Sequence, residues 1–289
     1  MIHVIKDVQD VLGTFVTITV VHSDINEGIG ALHAAFGEIH RIHGLMTVHR
    51  RTSEVAGLNE KGHCERVSNE TSFVIQRAIE FGELSNGVFD ITVLPLLNLW
   101  RAKGLEGTVP TDAEISERLE LVDYRNIIFG NKEVRFRKPG MGITLAGVAK
   151  GYAVDQAIEA LSRGHIRHAL VNAGGDIRAL GGKTETLPWR VAIRDPKNKA
   201  HIATTIELYD RAVATSGTYQ RSFNDIIHPK VGKPAQEVIS ATVVARNAID
   251  ADILATCMLI TGAEKSKGLL ESLDGVKPFI IKNDGTILN

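Results

Sequence analysis

Between Ala169 and Ala245 the chain sets six short apolar or β-branched runs one after another: Ala169–Asn172, Ile177–Leu180, Trp189–Arg194, Ala203–Leu208, Ala212–Thr215 and Val238–Ala245. Such runs read as strands. No helical period separates them, so a strict strand–helix alternation is ruled out. The helical patterns lie elsewhere. Asn26–His43 carries Ile29, Leu32, Phe36, Ile39 and Ile42 at helical spacing, and Asn69–Leu84 opens on the polar cap signal Ser68-Asn69-Glu70. Shorter helices are predicted around Pro95 and from Thr111 to Leu121, then at Gly147–Leu161, Ala251–Thr261 and Ala263–Leu273. Leu12–Val21 reads as a further strand. Ile127–Phe136 reads as a hairpin about Gly130-Asn131, and Phe279–Lys282 with Thr286–Leu288 as one about Asp284-Gly285. This mixed order predicts an α+β fold rather than a doubly wound parallel sheet. With no repeat, low-complexity tract or linker, one domain over 1–289 is the simplest organisation.

Composition narrows the function. Hydrophobic residues make up 44% of the 289 positions and charged residues 23%, as in a globular protein with a core. The formal net charge of −1 comes without a basic stripe, which gives no support to nucleic-acid binding. No apolar run approaches the roughly 18 residues of a membrane span. Cys64 and Cys257 are far apart and belong to no metal-spaced cluster. The amino terminus MIHVIKDVQDVLGTF has neither an apolar export core nor a lipidated cysteine, which predicts a cytoplasmic chain; an export signal ahead of it would make it extracytoplasmic.

Four segments carry candidate chemistry. In Ala251–Gly262, Asp252 and Thr256 stand four apart and share a helix face. A carboxylate and a hydroxyl there suit Mg²⁺, although the same residues also suit a helix start. In Ile143–Asp155 a small-residue turn enters a helix whose amino end favours phosphate, with Lys150 adding positive charge; close strand–helix packing explains it equally well. Asn172–Asp176 (NAGGD) is a tight bend that a simple turn explains by itself, although it also lets a ligand come close, where Asp176 could orient a ligand group or a lysine. Beyond Ser216-Gly217-Thr218, Asp225 and His228 form a candidate acid–base pair. A Ser216/His228/Asp225 hydrolase lacks the GxSxG elbow.

Several long motifs in order make the chain resemble the ApbE family of FAD:protein FMN transferases. They are Gly87–Trp100 (GVFDITVLPLLNLW), Leu145–Asp155 (LAGVAKGYAVD), Val171–Arg178 (VNAGGDIR), Trp189–Pro196 (WRVAIRDP), Ala214–Tyr219 (ATSGTY) and Ala251–Thr256 (ADILAT). The resemblance runs from about Val11 to Gly285. It implies a T-fold-like domain with mixed or antiparallel sheets packed by helices. It also implies a Mg²⁺-dependent transfer of FMN from FAD to a threonine hydroxyl of an acceptor flavoprotein, with release of AMP. The metal ligands carried over are the side chains of Asp252 and Thr256 and the carbonyl of Gly147. Flavin contacts carry over to Leu12, His49, Val88, Phe89, Asp90, Thr144, Lys150 and Ile226.

The chain departs from the family pattern in three places. Thr144 stands where an Asp is usual, and Val231 where a Thr is usual. Asp225-Ile226-Ile227-His228-Pro229 stands where His-Ile-Ile-Asp-Pro is usual. The last departure bears on the base that assists the acceptor hydroxyl. It keeps two alternatives open: a metal-dependent FAD pyrophosphatase giving FMN and AMP, and a flavin-binding protein without catalysis.

Overall fold

A computed structural model describes residues 1–130, 132–198, 201–218, 225–236 and 238–288. The chain opens with β1 (His3–Val11) and β2 (Thr14–His22), then α1 (Ile25–Met46), α2 (Glu54–Lys61), β3 (His63–Cys64) and α3 (Asn69–Leu84). A 3₁₀ turn at Ile91–Val93 leads into α4 (Leu94–Leu105), followed by α5 (Asp112–Leu119), β4 (Ile127–Phe129), β5 (Val134–Phe136) and α6 (Ala149–Arg163). Then come β6 (His168–Ala173), β7 (Asp176–Leu180), β8 (Trp189–Arg194), β9 (Ile202–Leu208), β10 (Ala212–Gly217) and β11 (Val238–Ala245). The chain closes with α7 (Ala248–Lys265), α8 (Lys267–Glu271), β12 (Lys277–Lys282) and β13 (Ile287–Leu288).

Among the described residues the strands form an eight-stranded sheet in the order β1-β2-β6-β7-β10-β11-β12-β13, a small β3-β5-β4 sheet and a β8–β9 ribbon. The paired strands run antiparallel, which bears out the α+β expectation. The helices α1, α6 and α7 cover one face. Phe36, Ile39 and Ile42 of α1, Val154 and Ile158 of α6, and Leu254 and Met258 of α7 share one core cluster with Val16, Ile18 and Val20 of β2. The β8–β9 ribbon covers part of the other face, where Trp189, Val191, Ile193 and Leu208 pack on Ile177, Val213 and Phe279. Among the described residues no helix is long and apolar enough to cross a membrane.

Three local expectations are corrected. The strand foreseen from Leu12 starts at Thr14, because Leu12 (φ 61°) and Gly13 (φ 70°) form the two-residue turn of a β1–β2 hairpin. Two φ > 0 residues give the turn a twist that matches the flanking strands. The helix expected from Ala251 begins earlier, at Ala248. It is interrupted at Gly262 (φ 75°), so the last helix shortens to Lys267–Glu271.

Candidate functional site

The site forms where the amino ends of α6 and α7 meet the starts of β7 and the end of β10. The loop before α6 is set by the Thr144 amide, which donates to the Ile91 carbonyl at 2.8 Å. Thr144 Oγ1 accepts from the Ala146 amide at 3.4 Å. The loop then brings the Gly147 backbone against two side chains: a Cβ there would lie 3.3 Å from Thr256 Oγ1 and 3.4 Å from Phe89 Cε2.

In the first turn of α6, Lys150 pairs with Asp176, the first residue of β7, and its ammonium stands 3.9 Å from Asp252 Oδ1. The bend before Asp176 needs Gly174: at φ 61° its Cβ would sit 2.4 Å from Thr14 Oγ1. The β6–β7 turn therefore lies beside the Leu12-Gly13 turn.

Asp252 faces inward from the first turns of α7, 3% exposed. Its Oδ2 accepts from the Gly151 amide at 3.2 Å. Burial, and then the nearby Asp176 carboxylate, push Asp252 up to about 7, against the opposing pull of Lys150 and the Gly151 amide. Thr256 follows on the same helix face, with its Oγ1 3.3 Å from Ser216 Oγ at the end of β10. Asp252, Thr256, Gly147, Lys150, Thr144 and Phe89 thus come together, and Asp176 and Ser216 join them.

The remaining candidates take other places. Asp90 is buried, and its carboxylate is used within the fold: Oδ1 accepts from the Thr92 amide and hydroxyl at 2.8 and 2.6 Å, and Oδ2 from the Tyr124 amide at 3.0 Å. Burial raises its pKa, opposed by those three bonds. Asp90 thereby shapes the loop that presents Val88 and Phe89. His49 is exposed in the turn after α1, its amide donating to Thr47 Oγ1 at 3.3 Å.

Asp225, Ile226 and His228 are half-buried in a segment that folds back on itself. Ile227 bridges to Pro234, and the His228 amide donates to the Lys233 carbonyl at 2.9 Å. Trp100 Nε1 anchors this turn by donating to the Gly232 carbonyl at 2.7 Å, and Lys230 lies over Gly87. The turn is thus fixed to the same 87–89 loop that reaches Gly147. His228 Nδ1 accepts from the Lys230 amide at 3.2 Å, so a neutral imidazole there carries its proton on Nε2.

Among the described residues no group of three or more His, Cys, Asp or Glu is arranged to hold a metal. The donor set at hand is different: a desolvated carboxylate at Asp252, a hydroxyl at Thr256, and the backbone of Gly147 beside that hydroxyl. All are hard oxygen donors of the kind Mg²⁺ prefers, and among the described residues the ion pair of Asp252 is the one to Lys150, at 3.9 Å. These residues fit the ion.

Comparison with known proteins gives the chain a family and a matching fold. The profile of the ApbE family matches residues 12–280. The FAD:protein FMN transferase of Klebsiella pneumoniae is 31% identical over 271 residues, covering 88% of this chain and 83% of that protein. That of Vibrio cholerae is 30% identical over 259 residues, covering 85% and 78%. Among solved structures, the ApbE protein of Thermotoga maritima matches with a TM-score of 0.90 at 32% identity, over 99% of this chain and 97% of that one. The flavin transferase ApbE from Vibrio cholerae matches with a TM-score of 0.83 at 26% identity, over 100% and 96%.

Proposed function

The chain belongs to the ApbE family, and on that premise we propose that it transfers FMN from FAD to a threonine hydroxyl of an acceptor flavoprotein in a Mg²⁺-dependent reaction. The observation that carries the metal reading is the buried Asp252 carboxylate, set beside Thr256, Gly147 and Lys150.

Asp252 and Thr256 would hold the ion through their side chains and Gly147 through its carbonyl; when bound, it supplies positive charge to the pyrophosphate of FAD. Lys150, held by Asp176, adds a second positive charge at the amino end of α6, where the positive end of the helix dipole also favours phosphate. The acceptor oxygen bonds to the phosphorus on the riboflavin side while the bridging P–O bond breaks. AMP leaves with the bridging oxygen, and the hydroxyl proton passes to a base. Asp225 is the candidate base. His228, with its proton on Nε2, is a donor and suits the leaving oxygen better than the attacking one.

One observation favours a second reading. The reordered Asp225–His228 segment would assist water as readily as a protein hydroxyl, giving FMN and AMP from FAD. Incubating the protein with FAD and Mg²⁺, with and without an acceptor domain, separates the two when AMP and acceptor mass are followed. Acceptor gain of one FMN supports transfer, AMP without an acceptor supports hydrolysis, and FAD binding without either product rejects both. The Asp225→Ala variant is expected to lose between a hundredfold and ten-thousandfold in rate, the usual worth of a general base. An unchanged rate removes Asp225 from the mechanism.

A further inference from the structure

We propose that Asp155 is a positioning residue for the metal ligands: it fixes the first turn of α7, and through it Asp252 and Thr256, against α6. The inference rests on reading Asp252 and Thr256 as ligands.

Asp155 points from the middle of α6 into the protein and is 6% exposed. Its Oδ1 accepts from Arg178 Nη1 and from the Ala248 amide, both at 2.8 Å, and its Oδ2 from the Ile249 amide at 2.9 Å. Ala248 and Ile249 open α7, and their amides are among those a helix start leaves without partners. The carboxylate of one helix thus caps the other. The same helix pair is joined again one turn away, where the Gly151 amide donates to Asp252 Oδ2 at 3.2 Å. Gly151 and Asp155 are four apart, on one face of α6. On β7, Asp176, which pairs with Lys150, and Arg178, which pairs with Asp155, are two apart, on one side of the strand. Two parallel rungs result. The inner one is Lys150, Asp176 and Asp252; the outer one is Asp155, Arg178 and the α7 amides.

The outer rung requires a carboxylate. Three donors converge on two oxygens, whereas an Asn offers one acceptor oxygen and turns an NH₂ towards a donor. Losing one bond lets the α7 start move, and Asp252 lies three residues after Ile249.

The test is Mn²⁺ binding to the purified whole chain, followed by electron paramagnetic resonance, with unfolding midpoints measured beside it. Asp155→Asn is expected to raise the Mn²⁺ dissociation constant by about tenfold or more, as loss of a ligand-supporting partner does elsewhere. Arg77→Gln is the control for general loosening. It removes the paired bonds, at 2.9 and 2.8 Å, that Arg77 makes to Asp250 on another side of the same turn, and it is expected to leave Mn²⁺ affinity unchanged. Asp252→Asn is expected to abolish tight binding. An unchanged constant in Asp155→Asn overturns the inference, as does equal weakening in the Asp155 and Arg77 variants. Parent-like binding in Asp252→Asn overturns the ligand reading itself, and the inference with it. If Asp155→Asn does not fold, Arg178→Gln serves instead: a smaller rise in the constant supports the inference, and no rise overturns it.

Discussion

Three carboxylates around the site, Asp155, Asp176 and Asp252, are exposed by 6%, 1% and 3%. Buried charge is tolerated only with partners, and here Asp155 and Asp252 both tie α6 to α7 while Asp176 ties β7 to α6. Cys257, next to Thr256 on α7, is the contrasting case: a buried thiol that behaves as a small apolar group. Burial pushes it up to about 12. Its folded pKa therefore lies above the unfolded value of 9.0, so its contribution to stability is intact below that value and is lost as pH rises towards 12. Titration with a disulfide reagent at pH 8 is expected to find Cys64 reactive in the native protein and Cys257 reactive only after unfolding. Rapid native labelling of both would contradict this burial. At this scale the sequence was only partly legible. Asp252 and Thr256 could be paired because one helix sets their spacing. The partners of Lys150 and Thr256, Asp176 and Ser216, lie on strands 26 and 40 residues away, and no local period connects them. Asp155 carried no signal of its own, since an inward-facing Asp on an amphipathic helix differs from an outward one only in what the other elements bring to it.

At the scale of elements, the contact between α6 and α7 decides the site. A Cβ on Gly151 would lie 2.3 Å from the Ala248 carbonyl oxygen and 2.8 Å from Ile249 Cα, both rigid backbone atoms. Gly151→Ala must therefore separate the helices. It is expected to cost about 1–3 kcal/mol by overpacking, offset by less than 1 kcal/mol of helix propensity. Urea unfolding checks the loss, and Mn²⁺ affinity should fall with it, since the bond from the Gly151 amide to Asp252 spans the same contact. A variant as stable as the parent would mean that the helices are not packed this closely. The elements themselves were legible where local pattern and tertiary environment agree. The observed α3, β8 and β11 share their bounds with the expected segments because a polar cap marks α3, alternating burial marks β8, and a nearly continuous buried run rich in β-branched residues marks β11. β1 has no clear strand pattern in the sequence because Val4 and Val8 face outward among charged residues, and the strand is held chiefly by its ladder to β2. The α2 helix has eight residues, one of them Gly57, and rests on the Ser53 cap and two buried side chains, Val55 and Leu58.

The whole molecule explains why so dispersed a site can form. Residues 23–167 are inserted between β2 and β6, which are neighbours in the sheet. That long connection delivers the Phe89 loop and α6 to the same end of the strands as the Asp176 turn, while α7 returns after β11 to lie against α6. Segments around positions 89, 147, 176, 216 and 252 thus meet only in the folded state. Ligands that bind there have no comparable site in the unfolded chain, so they must stabilise the fold by mass action. At a concentration 100 times its dissociation constant, one ligand contributes about 2.7 kcal/mol. For a chain of this size that raises the unfolding temperature by roughly 5 °C, taking about 2 °C per kcal/mol. Thermal scans are expected to show one such increment for FAD and a further one for Mg²⁺ added with it. Asp252→Asn should lose the Mg²⁺ increment while keeping part of that for FAD, because Lys150 and the amino end of α6 remain. If Mg²⁺ stabilises this variant as much as the parent protein, the ion binds elsewhere, and the convergence of these segments serves the flavin substrate alone.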